Sequence, residues 1–558
     1  MERVWLNHYE PGVPHDIPEP KETLPLLLDI ATQKYPNNTA TVFMGGRLTY
    51  QELNALADRF AAVLSSMGLG LGSRLAIHLP NSPQFVYCYY GALRAGCTVI
   101  PCNPLYVERE LEYQLKDAGA EVIVTLSRFY PMVRRIKEKL KFKSIIATNI
   151  KEHFAGHMRL LYTLAKEKKE GDRVNVLQGD FWLQDLMSKN ASSPVPRPEF
   201  PTETEACFLY TGSTTGVSKG AVLTHRNLVA NVYQCKAWLP DAQEGKEVTL
   251  SVLPFFHSYG MTASMNFPIY TCGTMVLLPR FDLQMVLKLI DKEKPSLFPG
   301  VPTIYVAINN YPEIQRHNLG HIRVCLSGAA ALPVEVQSTF EKLTSGKLVE
   351  AYGLSETSPA ALINPVNGTR KVGSIGVPIP STYARVVDAD DPTKEMPVGE
   401  SGELAIKGPQ VMKGYHNMPE QNKEAIVDGW FRTGDMATMD EDGFFYIVDR
   451  KKDMIISGGF NIYPREIEEV LYGHEKISEA AVVGVPDEYK GEAPKAFIVL
   501  KEGQTMTEQD VIDYCTKNLT KYKVPKKVEF RSELPKTMIG KILRRVLQEE
   551  EKAKMAKE

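Results

Sequence analysis

The chain is 558 residues long, more than one hydrophobic core usually organises, so about two to four domains are expected. Lys and Arg number 65 against 67 Asp and Glu, a near balance that excludes global attraction to nucleic acid or to an anionic membrane and suits an enzyme in water. Eight scattered cysteines, with no Cys-x-x-Cys pair and no Cys/His cluster, exclude a disulfide framework and a zinc site; reduced thiols and a cytoplasmic setting are expected.

The first residues, Met1-Glu2-Arg3-Val4-Trp5, soon meet prolines and acids rather than an apolar leader, and no apolar run approaches the ~20 residues of a membrane-crossing helix. Thr49-Tyr50-Gln51-Glu52 has capping-box spacing. Leu53, Leu56, Ala57, Phe60 and Leu64 then share one helical face, and Gly68 supplies a left-handed stop. Residues 74–79 read as a strand, Asn81-Ser82-Pro83 opens a second helix with proline in its first turn, Gly96 closes it, and 98–101 is a strand again. Strand, helix and strand imply a parallel pair, and further strands at 121–125 and 143–147 make this part α/β, with a mostly parallel, helix-covered sheet. Residues 133–143 are basic and amphipathic, suited to a solvated helix face or to peripheral contact with a membrane. Residues 150–200 are charged, end in Ser192-Ser193-Pro194-Val195-Pro196-Arg197-Pro198, and read as a connector.

A strand at 207–210 delivers the chain into Tyr210-Thr211-Gly212-Ser213-Thr214-Thr215-Gly216-Val217-Ser218-Lys219-Gly220, where backbone N–H groups, hydroxyls and one lysine can cradle a polyphosphate. It is no Walker A loop, since Lys219 stands three residues beyond Gly216 and the apolar Ala221-Val222-Leu223 that follows reads as strand. An ordinary Gly/Ser/Thr-rich turn is the competing reading. Thr224-His225-Arg226-Asn227 starts a helix, and Ser251-Val252-Leu253-Pro254 reads as a strand leading to His257 among aromatics, placed either in a pocket wall or in packing. Residues 324–330 run a strand into Gly328 and Ala329, where missing bulk lets a flat ligand approach or merely allows a tight turn. Residues 348–357 set Tyr352, Gly353, Ser355 and Glu356 at the end of a predicted strand, where open α/β sheets bind ligands. An aromatic face, a hydroxyl and a carboxylate there could meet a base, a phosphate and a hard cation.

Taken with Gly429-Trp430-Phe431-Arg432-Thr433-Gly434-Asp435, Asp449-Arg450-Lys451-Lys452-Asp453, Ser457-Gly458-Gly459-Phe460-Asn461-Ile462-Tyr463-Pro464 and Pro535-Lys536-Thr537-Met538-Ile539-Gly540-Lys541, these motifs make the chain resemble the adenylate-forming enzymes over essentially its whole length. That superfamily holds acyl-CoA synthetases, luciferases and adenylation domains. Trp5-Leu6-Asn7-His8-Tyr9, Gly12-Val13-Pro14 and residues 253–261 look most like the bacterial long-chain fatty-acid–CoA ligases.

The resemblance implies an N-terminal adenylation domain over 1–448, a hinge over 449–453 and a small mobile C-terminal α/β lid over 454–558. It implies activation of a medium- to long-chain fatty acid by ATP and Mg²⁺ to acyl-AMP, then transfer to CoA. It places Thr211, Gly212, Ser213, Thr214, Thr215, Gly216 and Lys219 on the ATP phosphates, and Gly328, Ala329, Tyr352 and Gly353 about the adenine. Ser355 falls on the α-phosphate, Asp435 and Arg450 on the ribose, Glu356 on Mg²⁺, Lys452 at the hinge, and Gly458 and Gly459 beside the CoA path. Lys541, Glu356 and His257 are its catalytic candidates. Three positions depart from the pattern: Ser213 where glycine is usual, Ser218 where proline is common, and Ile539 where a hydroxyl residue precedes the Gly-Lys pair. Phe255, Tyr259, Met261, Met265, Phe267 and residues 298–303 are candidates for an acyl tunnel and equally for core. A homodimer stays open, and so do three other activities: adenylation of an aromatic or amino acid, luciferase-like oxidation of the adenylate, and silent nucleotide binding.

Overall fold

The computed structural model of the protein describes residues 3–211, 218–450, 453–457, 460–487, 491–537 and 540–555. Local signals set its first elements. The Thr49 hydroxyl accepts from the Glu52 N–H at 3.2 Å, and the Glu52 carboxylate accepts from the Thr49 N–H at 2.8 Å, starting the helix Tyr50–Ser66, beyond which Gly68 takes φ +73°. Ser82 caps the helix Pro83–Arg94, whose residues are all buried, as expected of a helix apolar on every face and packed between layers. The strands it joins, Arg74–His78 and Thr98–Pro101, are parallel neighbours.

Those strands lie within an eight-stranded sheet. From one edge its order is Gly414–Tyr415, Lys219–Thr224, Glu205–Thr211, Thr98–Pro101, Arg74–His78, Val122–Leu126, Ser144–Thr148 and Phe181–Trp182. All its pairs are parallel except the two at the Gly414–Tyr415 end. The connector expected over 150–200 is wrong in part: it contains the helices Gly156–Ala165 and Leu183–Lys189 and supplies the edge strand Phe181–Trp182. A two-residue strand carries no legible periodicity; the buried Asp180 beside it fastens the segment by accepting from the Ile145 N–H at 2.9 Å and the Tyr130 hydroxyl at 2.9 Å. The basic helix Tyr130–Leu140 keeps Arg135 and Lys139 exposed, as a solvated helix face would, and pairs its cations with carboxylates. Arg134 and Lys137 pair with Asp180 at 3.0 and 2.5 Å, Arg135 with Glu108 at 2.8 Å, and Lys139 with Glu108 and Glu112 at 2.9 and 2.8 Å.

A nine-stranded sheet follows, parallel through its centre (Thr39–Phe43, Thr274–Leu277, Val248–Ser251, Leu297–Gly300, Val324–Ser327 and Lys347–Gly353) and antiparallel at both edges. The strand expected over 251–254 instead ends at Ser251, because Asn81 Nδ2 donates to the carbonyls of Ser251 and Leu253 at 3.1 and 2.8 Å and draws the chain out of the sheet. A third, five-stranded antiparallel sheet is built from Tyr383–Val387, Gly402–Lys407, Ile426–Val427, Trp430–Met439 and Phe445–Arg450. A smaller C-terminal domain has its own sheet around Ile477–Asp487 and Gly491–Leu500, packed through Ile467, Leu471, Val482, Ile498 and Val511.

Candidate active site

The carboxyl ends of the strands converge on one cavity of about 2110 Å³, lined by Thr211, Lys219, His257, Gly328, Ala329, Tyr352, Gly353, Ser355, Glu356, Asp435 and Lys541. Residues up to 330 positions apart in sequence therefore share one chamber, as the motif order required. Gly212, Ser213, Thr214, Thr215 and Gly216 of the phosphate loop, Lys452 of the hinge, Gly458 and Gly459 of the CoA path, and Ile539 lie outside the described residues. Arg450 is described in its backbone alone, which pairs in register with Asp435.

The base of the loop is closed by an antiparallel pairing of Thr211 with Lys219. Ser218 adds a tie that proline could not make, since its hydroxyl donates to the Thr211 carbonyl at 2.5 Å. From there Lys219 Nζ lies over the Tyr415 ring at 5.0 Å, and the Tyr415 hydroxyl donates to Glu356 Oε1 at 2.8 Å. Burial, and then the Glu356 carboxylate, push the Tyr415 phenol up, so it stays a donor. Glu356 is itself buried, on the one-turn segment Ser355–Thr357.

Tyr352 ends the strand Lys347–Gly353, and its hydroxyl donates to Asp435 Oδ2 at 2.6 Å, a charge-assisted bond worth about 1.5–3 kcal/mol. On the side away from Arg450, Asp435 leaves the ladder: the pairing of Gly402–Lys407 with Trp430–Met439 slips between Glu403 and Ala405, opposite Thr433 to Asp435, a bulge at the carboxylate's position. Thr433-Gly434-Asp435 is thus a bulge within a strand. Gly353 is required by close approach, since a Cβ there would lie 1.9 Å from the Pro359 carbonyl oxygen.

Lys541 reaches this wall from the small domain. Its segment is a tight hairpin in which the Thr537 N–H donates to the Lys541 carbonyl at 2.8 Å and the Lys541 N–H donates to Thr537 Oγ1 at 3.1 Å. Gly540 seats the hairpin on the large domain: it takes φ +72°, and a Cβ would meet Thr303 Oγ1 at 2.4 Å. Burial, and then the Lys541 ammonium, pull the His257 imidazole down to about 4, so it is neutral at pH 7; its Nδ1 accepts from the Tyr259 N–H at 3.2 Å, which leaves the proton on Nε2.

Behind the hairpin, Arg544 ties the small domain to the hinge segment, whose Asp449 still belongs to the last strand of the third sheet. Arg544 donates to Glu468 at 3.0 and 2.5 Å, to Asp449 at 3.0 Å and to Asp453 at 3.3 Å. Burial alone would lower this guanidinium, but Glu468 and Asp449 outweigh it and raise it. Tyr415 and Arg544 were missed from sequence, and Thr303 was named only as an acyl-tunnel candidate, not as the seat of Gly540. The Arg544-Arg545 pair, which begins three residues beyond Lys541, was the available signal for Arg544; for Tyr415 there was none beyond its place beside Gly414.

Of the acyl-tunnel candidates, Tyr259, Pro302 and Thr303 line the cavity, whereas Phe255, Met261, Met265, Phe267, Phe298 and Val301 are buried core and line none of it. The cavity's apolar lining includes Val306, Ala307, Leu332, Val334 and Val336, side chains that periodicity alone does not separate from core.

A family model described as AMP-binding enzyme matches residues 28–416, and one described as AMP-binding enzyme C-terminal domain matches 466–541. The chain is 47% identical over 551 residues to a long-chain-fatty-acid–CoA ligase of Bacillus subtilis (strain 168), covering 99% of this chain and 98% of that one. Among solved structures it is similar to ATP-bound MatB from Rhodopseudomonas palustris, with TM-score 0.82 and 30% identity over 95% of this chain and 99% of that one. It is similar also to the anthranilate CoA ligase AuaEII in complex with anthranoyl-AMP, with TM-score 0.84 and 25% identity over 97% and 99% of the two chains.

Proposed function

The chain belongs to the AMP-binding enzyme family, and on that premise we propose that it converts a medium- to long-chain fatty acid, ATP and CoA to acyl-CoA, AMP and pyrophosphate by way of acyl-AMP. The observation that carries this reading is the arrival of Lys541, from the small domain, in the chamber that holds Tyr352, Asp435 and Glu356.

A carboxylate resists attack because its charge repels nucleophiles, and as a nucleophile it must approach an anionic triphosphate. Lys541 brings a cation to the point where the carboxylate oxygen bonds to the α-phosphorus and the bond to pyrophosphate breaks, a placement worth on the order of 10²–10³ in rate. Asp435, aligned by Tyr352, takes the ribose hydroxyls, and Tyr352 with Gly328 and Ala329 brackets the adenine. Ser355 meets the α-phosphate, Lys219 the outer phosphates, and His257 Nε2–H faces the anion. Glu356 fits Mg²⁺ as a buried hard oxygen donor already fixed by Tyr415. No group of three candidate ligands exists among the described residues, so phosphate oxygens and water would complete a shell in which the ion would neutralise the polyphosphate.

In the second step the thiolate sulfur attacks the acyl carbon and the bond to AMP breaks. Lys541 has no task there, so the small domain is free to withdraw it. We place the domain boundary at 1–448 and 454–558 with the hinge at 449–453, because the third sheet ends at Arg450 and the small domain's sheet begins at Ile455. The apolar wall of Val306, Ala307, Leu332, Val334 and Val336 supports an alkyl substrate over an amino acid. A cytoplasmic setting suits eight cysteines that are all free thiols.

Pyrophosphate release and thioester formation across fatty, aromatic and amino acids, with and without CoA, test the reading. A CoA-dependent thioester with fatty acids is expected. Turnover confined to amino acids without CoA, or consumption of O₂ in place of CoA, would overturn it.

A further inference from the structure

The helix Gly156–Ala165 is built the wrong way round for a surface helix, which normally turns its apolar face to the core. Its inward contacts are polar or aromatic. Thr163 receives Lys151 Nζ at 3.0 Å, and Tyr162 donates to Asp172 while its ring sits edge-on to Phe154; the exposed Arg159 donates to Glu152 at 3.0 Å at the rim. Outward it presents Leu160, Leu161 and Leu164, which are 60, 58 and 76% exposed and recur at the spacing of one helical face. The chain beyond it carries Lys166, Lys168 and Lys169, all exposed. The carboxylates interleaved with them are engaged elsewhere, Glu167 with Lys151 and Arg173 and Glu170 with Arg128. The basic helix Tyr130–Leu140 has spent its cations on ion pairs, whereas here the cations are left over beside a leucine face.

We propose that this helix docks the enzyme on an anionic lipid bilayer, with Leu160, Leu161 and Leu164 entering the boundary between headgroups and acyl chains and the three lysines lying against lipid phosphates. Lysine beside leucine is what separates this occupant from an uncharged apolar partner: leucine burial supplies the hold, and the adjoining cations select negative headgroups. Fatty acids partition into the same layer, so a docked enzyme meets its substrate where that substrate is concentrated.

The test is co-sedimentation of the full chain with vesicles of phosphatidylglycerol and phosphatidylcholine, or of phosphatidylcholine alone, at about 0.15 M salt. Binding to the anionic vesicles should exceed binding to the neutral ones by about tenfold or more. Leu160→Ser/Leu164→Ser should abolish sedimentation, and Lys166→Gln/Lys168→Gln/Lys169→Gln should remove the preference for anionic lipid. Both variants should keep wild-type acyl-CoA formation from a short, soluble acid without vesicles, which shows that they are folded. The assay reads no product, so its failure and the failure of the ligase reading are distinguishable. Equal sedimentation of wild type with both vesicle types, or undiminished binding by the leucine variant, overturns the proposal. So does a wild-type dimer in solution that the leucine substitutions dissociate, because a second copy would then cover the face.

Discussion

Tyr352, Asp435, Glu356 and Tyr415 all stand on strands or strand ends of the large domain and hold one another at 2.6 and 2.8 Å, whereas Lys541 enters on a hairpin that touches that domain at Thr303. The first group is fixed by sheets that cannot rearrange without unfolding. The second is held by contacts between two separately cored units, with Arg544 behind the hairpin tying the small domain to the hinge segment. Damage to the fixed wall should therefore weaken nucleotide handling in both half-reactions, while damage to the delivered side should strike adenylation alone.

Lys541→Ala draws this contrast most sharply. Pyrophosphate release should fall by about 10²–10³, while supplied acyl-AMP is still converted to acyl-CoA at close to the wild-type rate. Equal loss in both assays would break the comparison. Gly540→Ala should act in the same direction with less force. The new methyl meets Thr303 and the residue is held at positive φ, so adenylation is expected to drop by about tenfold, again with the thioester step spared. Adding Thr303→Ala should restore part of that loss.

Tyr415→Phe tests the fixed wall. It leaves Glu356 buried without its hydroxyl donor, and the Mg²⁺ concentration for half-maximal pyrophosphate release should rise by about fivefold, with no change once Mg²⁺ saturates. A smaller effect belongs to Glu350, which burial pushes up to about 7 despite the nearby Arg465. Its folded value lies above the unfolded one of 4.5, so its contribution to stability is complete below 4.5 and is lost as pH rises through 7. Glu350→Gln should therefore match wild type in thermal melting near pH 4.5 and exceed it by roughly 2 °C at pH 8. Identical melting curves at pH 8 would show that the carboxyl already ionises at no cost.

Elements with a local cause were legible. Thr49 with Glu52, Ser82 before Pro83 and Thr224 before Asn227 each begin a helix where the sequence placed it, because a cap is a bond between residues two or three apart. The 251–254 strand was misplaced because Asn81, far away in sequence, takes the carbonyls that decide its end. The 150–200 segment was misread because its edge strand exists by virtue of a neighbouring strand and of Asp180. Val306 and Leu332 were missed as cavity wall for a related reason: an apolar residue lining a chamber and one filling a core obey the same periodicity.

The ordered motifs determined by themselves the family and the two-step chemistry, and they nominated the residues proposed for the site, since phosphate, ribose and a hard cation each demand particular donors at particular strand ends. Tertiary structure alone decided that Tyr415 aligns Glu356, that Ser218 ties the base of the loop at Tyr210, and that Gly540 seats Lys541 against Thr303. It also decided that leucines face outward on the helix Gly156–Ala165. Each of these depends on a distance between segments remote in the chain. Spacing along a sequence encodes such distances only where one helix or one turn spans them.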